Sequence, residues 1–264
     1  MGDPVVRELH ELDEFREVER LYDEIWPQVA GQGRVLTVEL MRALDHAGNY
    51  VAGAYRDGRL VGATVAFFGA PIGETLHSHA TGAVAGSGVG FALKRHQRDW
   101  ALARGLRRIT WTFDPLVRRN AYFNLVKLGA RPEEYLPNFY GDDMVDAVNS
   151  GDRSDRVLAV WRLTDPRVRA AVGEAEPAVR DADAGARAES ALVERDGRPV
   201  PVRTDAEVVR VAVPSDIETL RRVDPEAAAA WRSALREVLG GLLDAGARVI
   251  DFDREAGYLV ARRG

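Results

Sequence analysis

Gly82-Ala83-Val84-Ala85-Gly86-Ser87-Gly88-Val89-Gly90 runs directly into the amphipathic stretch Phe91–Arg104. Glycines at alternate positions leave an apolar strand and open a helix. Backbone N–H groups at the positive end of that helix are then free to face an anion such as a phosphate. A tight strand-to-helix turn with close packing would use the same residues, and a dinucleotide fingerprint is a third reading. The Gly-x-Gly-x-x-Gly spacing is not met, because Phe91 and Leu93 stand where the third glycine belongs. Asp114, ending the next strand, would be the ribose-binding acid of such a site. A Walker A loop is excluded, since no Gly-Lys-Ser/Thr exists.

Outward from this loop the chain alternates strands and helices. Val5–Leu9 reads as a strand, followed by a helix capped by Asp13 with Phe15, Val18, Leu21, Tyr22 and Ile25 at helical spacing. Val38–Ala47 is a second helix. Tyr50–Arg56 and Leu60–Phe68 flank Asp57-Gly58, a hairpin signal, and Glu74–Val84 is the strand leading to the loop. A hairpin ahead of the loop argues against a dinucleotide fold, which usually opens with it. Gly105 closes the loop helix. Arg108–Phe113 is a strand, Arg118–Leu128 a helix closed by Gly129, and Val157–Leu163 a strand. Arg167–Ser190, with eight Ala in 24 residues, reads as a linker in preference to an exposed helix. Beyond it come Ala191–Arg195 and Pro199–Arg203 around Asp196-Gly197, then Glu207–Val213. The helices Ile217–Arg222 and Glu226–Leu243 and the strands Arg248–Phe252 and Tyr258–Ala261 complete the chain. The expected division is residues 1–165 as an α+β domain, 166–190 as a linker and 191–264 as a smaller C-terminal α/β unit.

Composition narrows the function classes. The chain has 264 residues, 46% of them hydrophobic, enough for one large core or two modest ones. It lacks a run of 18 apolar residues and its N-terminus is too charged for a signal peptide, so no membrane span is expected. Without cysteine there is no disulfide, thiol nucleophile or thiolate metal site, and cytoplasmic residence is the expectation. A net charge of −5 with no basic block argues against nucleic acid. Only two of the 36 basic residues are Lys, at 94 and 127; the Ala- and Arg-rich usage reads as base composition.

His77 and His79, two apart on the strand entering the loop, face one side of the sheet. Either they supply a general base near neutral pH or they are packed or surface histidines without a role. No metal site is expected: His-x-His gives two ligands and only Glu74 lies nearby as a third. Ser87 does not sit in a Gly-x-Ser-x-Gly elbow. Asn120 and Asn124 share one helix face, a costly choice unless their amides bind a ligand or hold the Asp114 turn.

The order of elements and the loop resemble the GNAT superfamily of acetyl-CoA-dependent N-acyltransferases. The wording Leu76-His77-Ser78-His79, Ala92-Leu93-Lys94-Arg95-His96-Gln97, Trp111-Thr112-Phe113-Asp114-Pro115-Leu116, Arg119-Asn120-Ala121-Tyr122-Phe123-Asn124 and Lys127-Leu128-Gly129-Ala130 is similar to a long-form bacterial branch of it. The resemblance implies a mixed, mostly antiparallel sheet flanked by helices. It further implies acetyl-CoA or another acyl-CoA as cofactor, with its pyrophosphate held by Val84, Ala85, Gly86, Ser87, Gly88, Val89 and Gly90 and contacts from Asn120 and Asn124. Gly88 and Gly90 match the family's Gln/Arg-x-x-Gly-x-Gly/Ala, whereas Ala85 stands in the Gln/Arg place. The Tyr that many members carry four residues before the later glycine is here Leu125, so the acid's role is either vacant or passed to Tyr122 or Tyr140. His77 and His79 occupy the place of the general base, and amides around Gly82–Val84 would polarise the thioester carbonyl. The implied partner is a small-molecule amine that attacks the thioester directly; a homo-oligomer is compatible with this. The alternative is a catalytically silent GNAT-like domain that binds a ligand or partner.

Overall fold

The computed structural model describes residues 2–27, 34–84, 88–141, 152–176 and 182–262. Internal contacts cluster into two compact units, Met1–Trp111 with Arg162–Thr164 and Thr112–Trp161 with Asp165–Gly264. These units divide the chain after Trp111, whereas the sequence reading places its boundaries at 165 and 190.

The first unit holds β1 (Val5–Glu8), α1 (Leu12–Ile25), α2 (Val38–His46), β2 (Tyr50–Arg56), β3 (Arg59–Gly69), β4 (Thr75–Ala83), α3 (Val89–Ala103) and most of β5 (Arg108–Phe113). Its strands lie in the order β1-β2-β3-β4-β5, antiparallel except for the parallel β4/β5 pair. Asp57 and Gly58 both have positive φ, 50° and 75°, the geometry of the tight turn that matches strand twist. α1 is capped by Glu11 and not by Asp13: Glu14 reaches back to the N–H groups of His10 and Glu11 in a capping box. Phe15, Val18, Leu21 and Tyr22 of α1 pack with Val51, Ala63, Val65 and Ala80 on one sheet face. Val89 and Leu93 of α3 pack with Ala54 on a second core cluster. A Cβ on Gly62 would lie 2.5 Å from Val89 Cγ1, so a glycine in β3 lets the start of α3 sit directly on the sheet.

The second unit begins within β5. α4 (Arg118–Tyr122) continues as a π-helical turn over Phe123–Lys127, ended by Gly129 at φ 73°. The Leu128 carbonyl accepts the Trp161 indole N–H at 2.7 Å, and the Leu125 carbonyl accepts from Arg167 at 3.0 Å. A strand unread in the sequence follows, β6 (Arg131–Leu136), antiparallel to β7 (Arg156–Arg162). Two short helices, α5 (Pro166–Ala171) and α6 (Ala182–Arg187), occupy part of the stretch read as linker. After them come β8 (Glu189–Arg195), β9 (Arg198–Pro201), β10 (Val208–Val211), α7 (Ile217–Val223) and α8 (Pro225–Leu235). α8 runs through a second π-helical turn, Arg236–Gly240, into α9 (Gly241–Asp244), and the chain ends in β11 (Arg248–Asp253) and β12 (Gly257–Ala261). This second sheet has the order β11-β12-β10-β8-β9 with β8 and β10 parallel. Trp161, Trp231, Phe252 and Tyr258 are fully enclosed in this unit.

Candidate active site

The parallel ladder between β4 and β5 is short. Thr75, Leu76 and His77 pair with Arg108, Ile109 and Thr110, and the ladder stops there. β4 runs on to Ala83 on β3 alone, so the two strands fork after His77 and Thr110. On the β3 side Val65 faces Ala80 while Ala66 faces Ser78, which makes His79 the extra residue of a β-bulge. Bulges re-aim side chains and are common beside active sites.

Both imidazoles lie against the Phe67 ring, at centroid distances of 5.3 Å for His77 and 5.9 Å for His79. The structure thus brings the two histidines together. His77 Nδ1 is 3.1 Å from Thr110 Oγ1. Burial pushes the His77 imidazole down to about 4, with the charges of His79 and Lys94 adding to it. His79 is the more exposed of the two. Desolvation lowers it as well, opposed by a hydrogen bond to the Val35 backbone.

On the other side of β4 lies a closed polar ring. Lys94 Nζ of α3 donates to Ser78 Oγ at 2.8 Å and to Gln97 Oε1 at 3.1 Å, and sits 4.1 Å from the centroid of Trp111 in β5. Gln97 donates to Thr64 Oγ1, which bonds Thr81 Oγ1 at 2.8 Å; Thr81 in turn lies 3.4 Å from Ser78 Oγ. Lys94 is 4% exposed. Burial pushes its ammonium down to about 7. Among the described residues no carboxylate pairs with it. No local sequence pattern assigns Lys94 a role. One signal was available: in a chain that otherwise uses Arg, a lysine inside an amphipathic helix marks a place where a compact ammonium is wanted.

Of the glycine loop, Ala85, Gly86 and Ser87 lie outside the described residues. Val84 is exposed and its N–H donates to the Val61 carbonyl at 3.0 Å. Gly88 is the N-cap of α3 in the left-handed conformation, φ 70°. A Cβ there would meet nothing within 4 Å among the described residues. The N–H groups of Phe91 and Ala92 go to the Gly88 carbonyl. Those of Val89 and Gly90, nearer the end, have no acceptor among the described residues, as a helix N-terminus leaves them. The Val89 side chain is buried in the core, so this residue has only its backbone to offer a ligand.

The remaining predicted residues belong to the second unit. Asn120 is half-buried and Asn124 buried. The Asn124 carbonyl accepts from the Ala130 N–H at 3.0 Å. Tyr122 lies in α4 with the Arg254 guanidinium stacked 3.9 Å from its ring centroid. Tyr140 is exposed, 3.3 Å from Thr112 Oγ1. Asp114 is not free to hold a ribose, which removes the dinucleotide reading. Its carboxylate is buried, receives Arg221 and both terminal nitrogens of Arg232, and also caps the Leu116 N–H. Burial alone would raise its pKa, but Arg232 and then Arg221 hold it well below the usual carboxylate range.

Solved structures share the fold. An N-acetyltransferase from Staphylococcus aureus Mu50 matches 61% of this chain and 99% of its own, at 13% identity and a TM-score of 0.51. The protein yncA from Salmonella typhimurium, assigned as an acetyltransferase and solved with its cofactor acetyl-CoA, matches 69% of this chain and 99% of its own, at 14% identity and a TM-score of 0.50. The fold is that of the GNAT acetyltransferases. No family model matches the chain, and no curated protein matches it by sequence. The GNAT fold agrees with the sequence expectation of a mixed, mostly antiparallel sheet flanked by helices. At these identities it speaks for architecture. Among the described residues no cluster of His, Asp and Glu could hold a metal ion, and no helix is long and apolar enough to cross a membrane.

Proposed function

We propose that this protein transfers an acyl group, in the first instance acetyl, from acyl-CoA to the amine of a small molecule. The observation that carries this reading is the fork: within a GNAT fold, β4 leaves β5 after His77 and runs on toward a left-handed glycine that opens α3. Acyl-CoA fits the residues present. Gly88 presents no side chain at the helix entrance, and the Val89 and Gly90 amides offer donors to a diphosphate at the positive end of the helix dipole. The thioester supplies an electrophilic carbonyl and a good leaving group. The Val84 N–H is taken by the Val61 carbonyl, so the N–H of Ala83, which faces away from β3, is the amide of this stretch that would polarise that carbonyl. The amine nitrogen attacks the carbonyl carbon, the C–S bond breaks, and the nitrogen loses a proton to a base.

Of the two histidines, His79 is the better base. A half-buried imidazole held near 4 is a poor acceptor at neutral pH, whereas His79, at the bulge, is exposed. Tyr122 or water returns a proton to the departing thiolate. Its ring lies under Arg254, and Leu125 holds the place where the acid is expected; both favour the alternative, a domain that binds CoA without turnover.

Calorimetry with CoA, acetyl-CoA and NADH, paired with thiol release over a panel of amines, tests the assignment. Saturable CoA binding with turnover is the expected result. CoA binding without thiol release would leave only the silent domain, and binding of NADH alone would overturn both. In a pH–rate profile, His79→Ala should remove or shift the acidic limb and lower the rate by about 10²-fold. His77→Ala should leave that limb in place. An unshifted limb in both variants takes the histidines out of the reaction.

A further inference from the structure

We propose that Lys94 is a positioning residue for acyl transfer: its ammonium ties β4 to β5 at the point where they part, and so fixes the β4 backbone that faces the thioester. The inference rests on the acyltransferase reading above. It concerns a side chain that reading leaves unused.

The geometry is specific. The last paired residues of the two strands are His77 and Thr110. Ser78 and Trp111 come next, one on each arm of the fork, and these are the two groups that Lys94 holds. Its remaining donor goes to Gln97, on its own helix, one turn away. An ammonium has three N–H groups, and each has a destination: a hydroxyl on β4, an amide oxygen on α3 and the ring face of Trp111 on β5. The ring closes through Thr64 and Thr81, so the hydroxyl of Ser78 is fixed from two sides. Ser78 precedes the bulged His79 directly. Any shift of Lys94 is therefore passed to the bulge and to the amides beyond it.

Packing alone does not call for a charge here. A methionine fills the same volume without desolvating an ion, and replacing buried charged groups by well-packed apolar ones is often neutral or stabilising. Nor does an ion pair account for it, since among the described residues no carboxylate meets it. A compact cation between two separating strands does what an apolar side chain cannot. It attracts both a hydroxyl and a π face, and it sets the potential felt by a carbonyl in the fork.

The chain contains only two lysines, Lys94 and Lys127, and Lys127 is exposed. Lysine labelled with ¹³C at Cε therefore gives two signals from the full-length protein, one of them an internal control. Acetyl-CoA should move the Lys94 signal and leave that of Lys127 in place, and CoA lacking the acyl group should move it less. Calorimetry on the same samples establishes whether each compound binds. Lys94→Met should lower thiol release by about 10- to 100-fold with the KM for acetyl-CoA changed by less than about threefold. Lys94→Arg keeps a charge but not the compact ammonium, and its larger planar guanidinium should not restore the loss.

The proposal is overturned if acetyl-CoA binds while the Lys94 signal stays fixed, or if Lys94→Met turns over like the wild type. A loss in Lys94→Met that appears wholly in the KM for acetyl-CoA, with turnover at saturation unchanged, would also overturn it. Should neither CoA nor acetyl-CoA bind the wild type, the acyltransferase reading fails first and the positioning role falls with it. The labelled wild type answers the question even where a variant does not fold.

Discussion

Arg232→Met should destabilise the protein by about 3–5 kcal/mol, enough to unfold the second unit at moderate urea. The Arg232 guanidinium is 1% exposed and lies between two buried carboxylates. It donates to both oxygens of Asp114 at 2.8 Å and to Asp152 Oδ2 at 2.8 and 3.1 Å. Removing it leaves Asp114 and Asp152 facing one another with Arg221 alone between them. An unpaired charge in that setting costs far more than the pair contributes. Asp114→Asn in the Arg232→Met background should therefore recover part of the loss, a coupling that a double-mutant cycle measures.

Acid provides a second arm of the same test. The folded Asp114 titrates below its unfolded value, so its contribution is complete above about pH 4 and is lost as pH falls through the folded value. The difference in urea midpoint between wild type and Arg232→Met should shrink over that window. Equal midpoints at pH 7 would show that the cluster carries no net stability. A full loss places residues of α7 and α8 in the folding of Thr112–Trp161. In that case the C-terminal segment is not a removable appendage.

This cluster also shows where sequence reading ends. Asp114 looked like the end of a strand, and β5 does stop just before it, at Phe113. Nothing near it in sequence tells that its partners are Arg221 and Arg232, because a long-range ion pair leaves no local pattern. Turns were legible for the opposite reason. Asp57-Gly58 and Asp196-Gly197 carry their own conformational requirement, and both adopt positive φ.

β6 escaped notice because Pro132, Glu133 and Glu134 break the alternation of a half-buried strand, although Pro132 pairs with Ala159 and Tyr135 is buried. The helix predicted to start at Phe91 begins at Val89, since the left-handed Gly88 completes the turn earlier. Within the candidate site, the pairing of His77 with His79 followed from strand periodicity. The bulge that separates their environments did not, because a one-residue insertion in a ladder depends on the partner strand. Lys94 stayed hidden because a lysine at a helical position ordinarily means a solvated face.

Gly88→Glu should abolish CoA binding, a loss of about 100-fold or more in affinity, while leaving the fold as stable as Gly88→Ala does. The two variants share one cost. At φ 70° any side chain is strained, by about 1–2 kcal/mol. Neither variant's Cβ clashes, since a Cβ at this position meets nothing within 4 Å among the described residues. They differ in charge. A carboxylate beside the first turn of α3 is favourable for the free helix, because it complements the dipole, so thermal unfolding should not distinguish Glu from Ala or should favour Glu. The same carboxylate competes for the Val89 and Gly90 amides and repels the diphosphate they are proposed to hold. Stability and affinity therefore move in different directions only if an anion binds at this entrance. Calorimetry and a thermal melt on the wild type and both variants, repeated at low and high salt, check the prediction. Equal CoA affinity in Gly88→Ala and Gly88→Glu would place the diphosphate elsewhere.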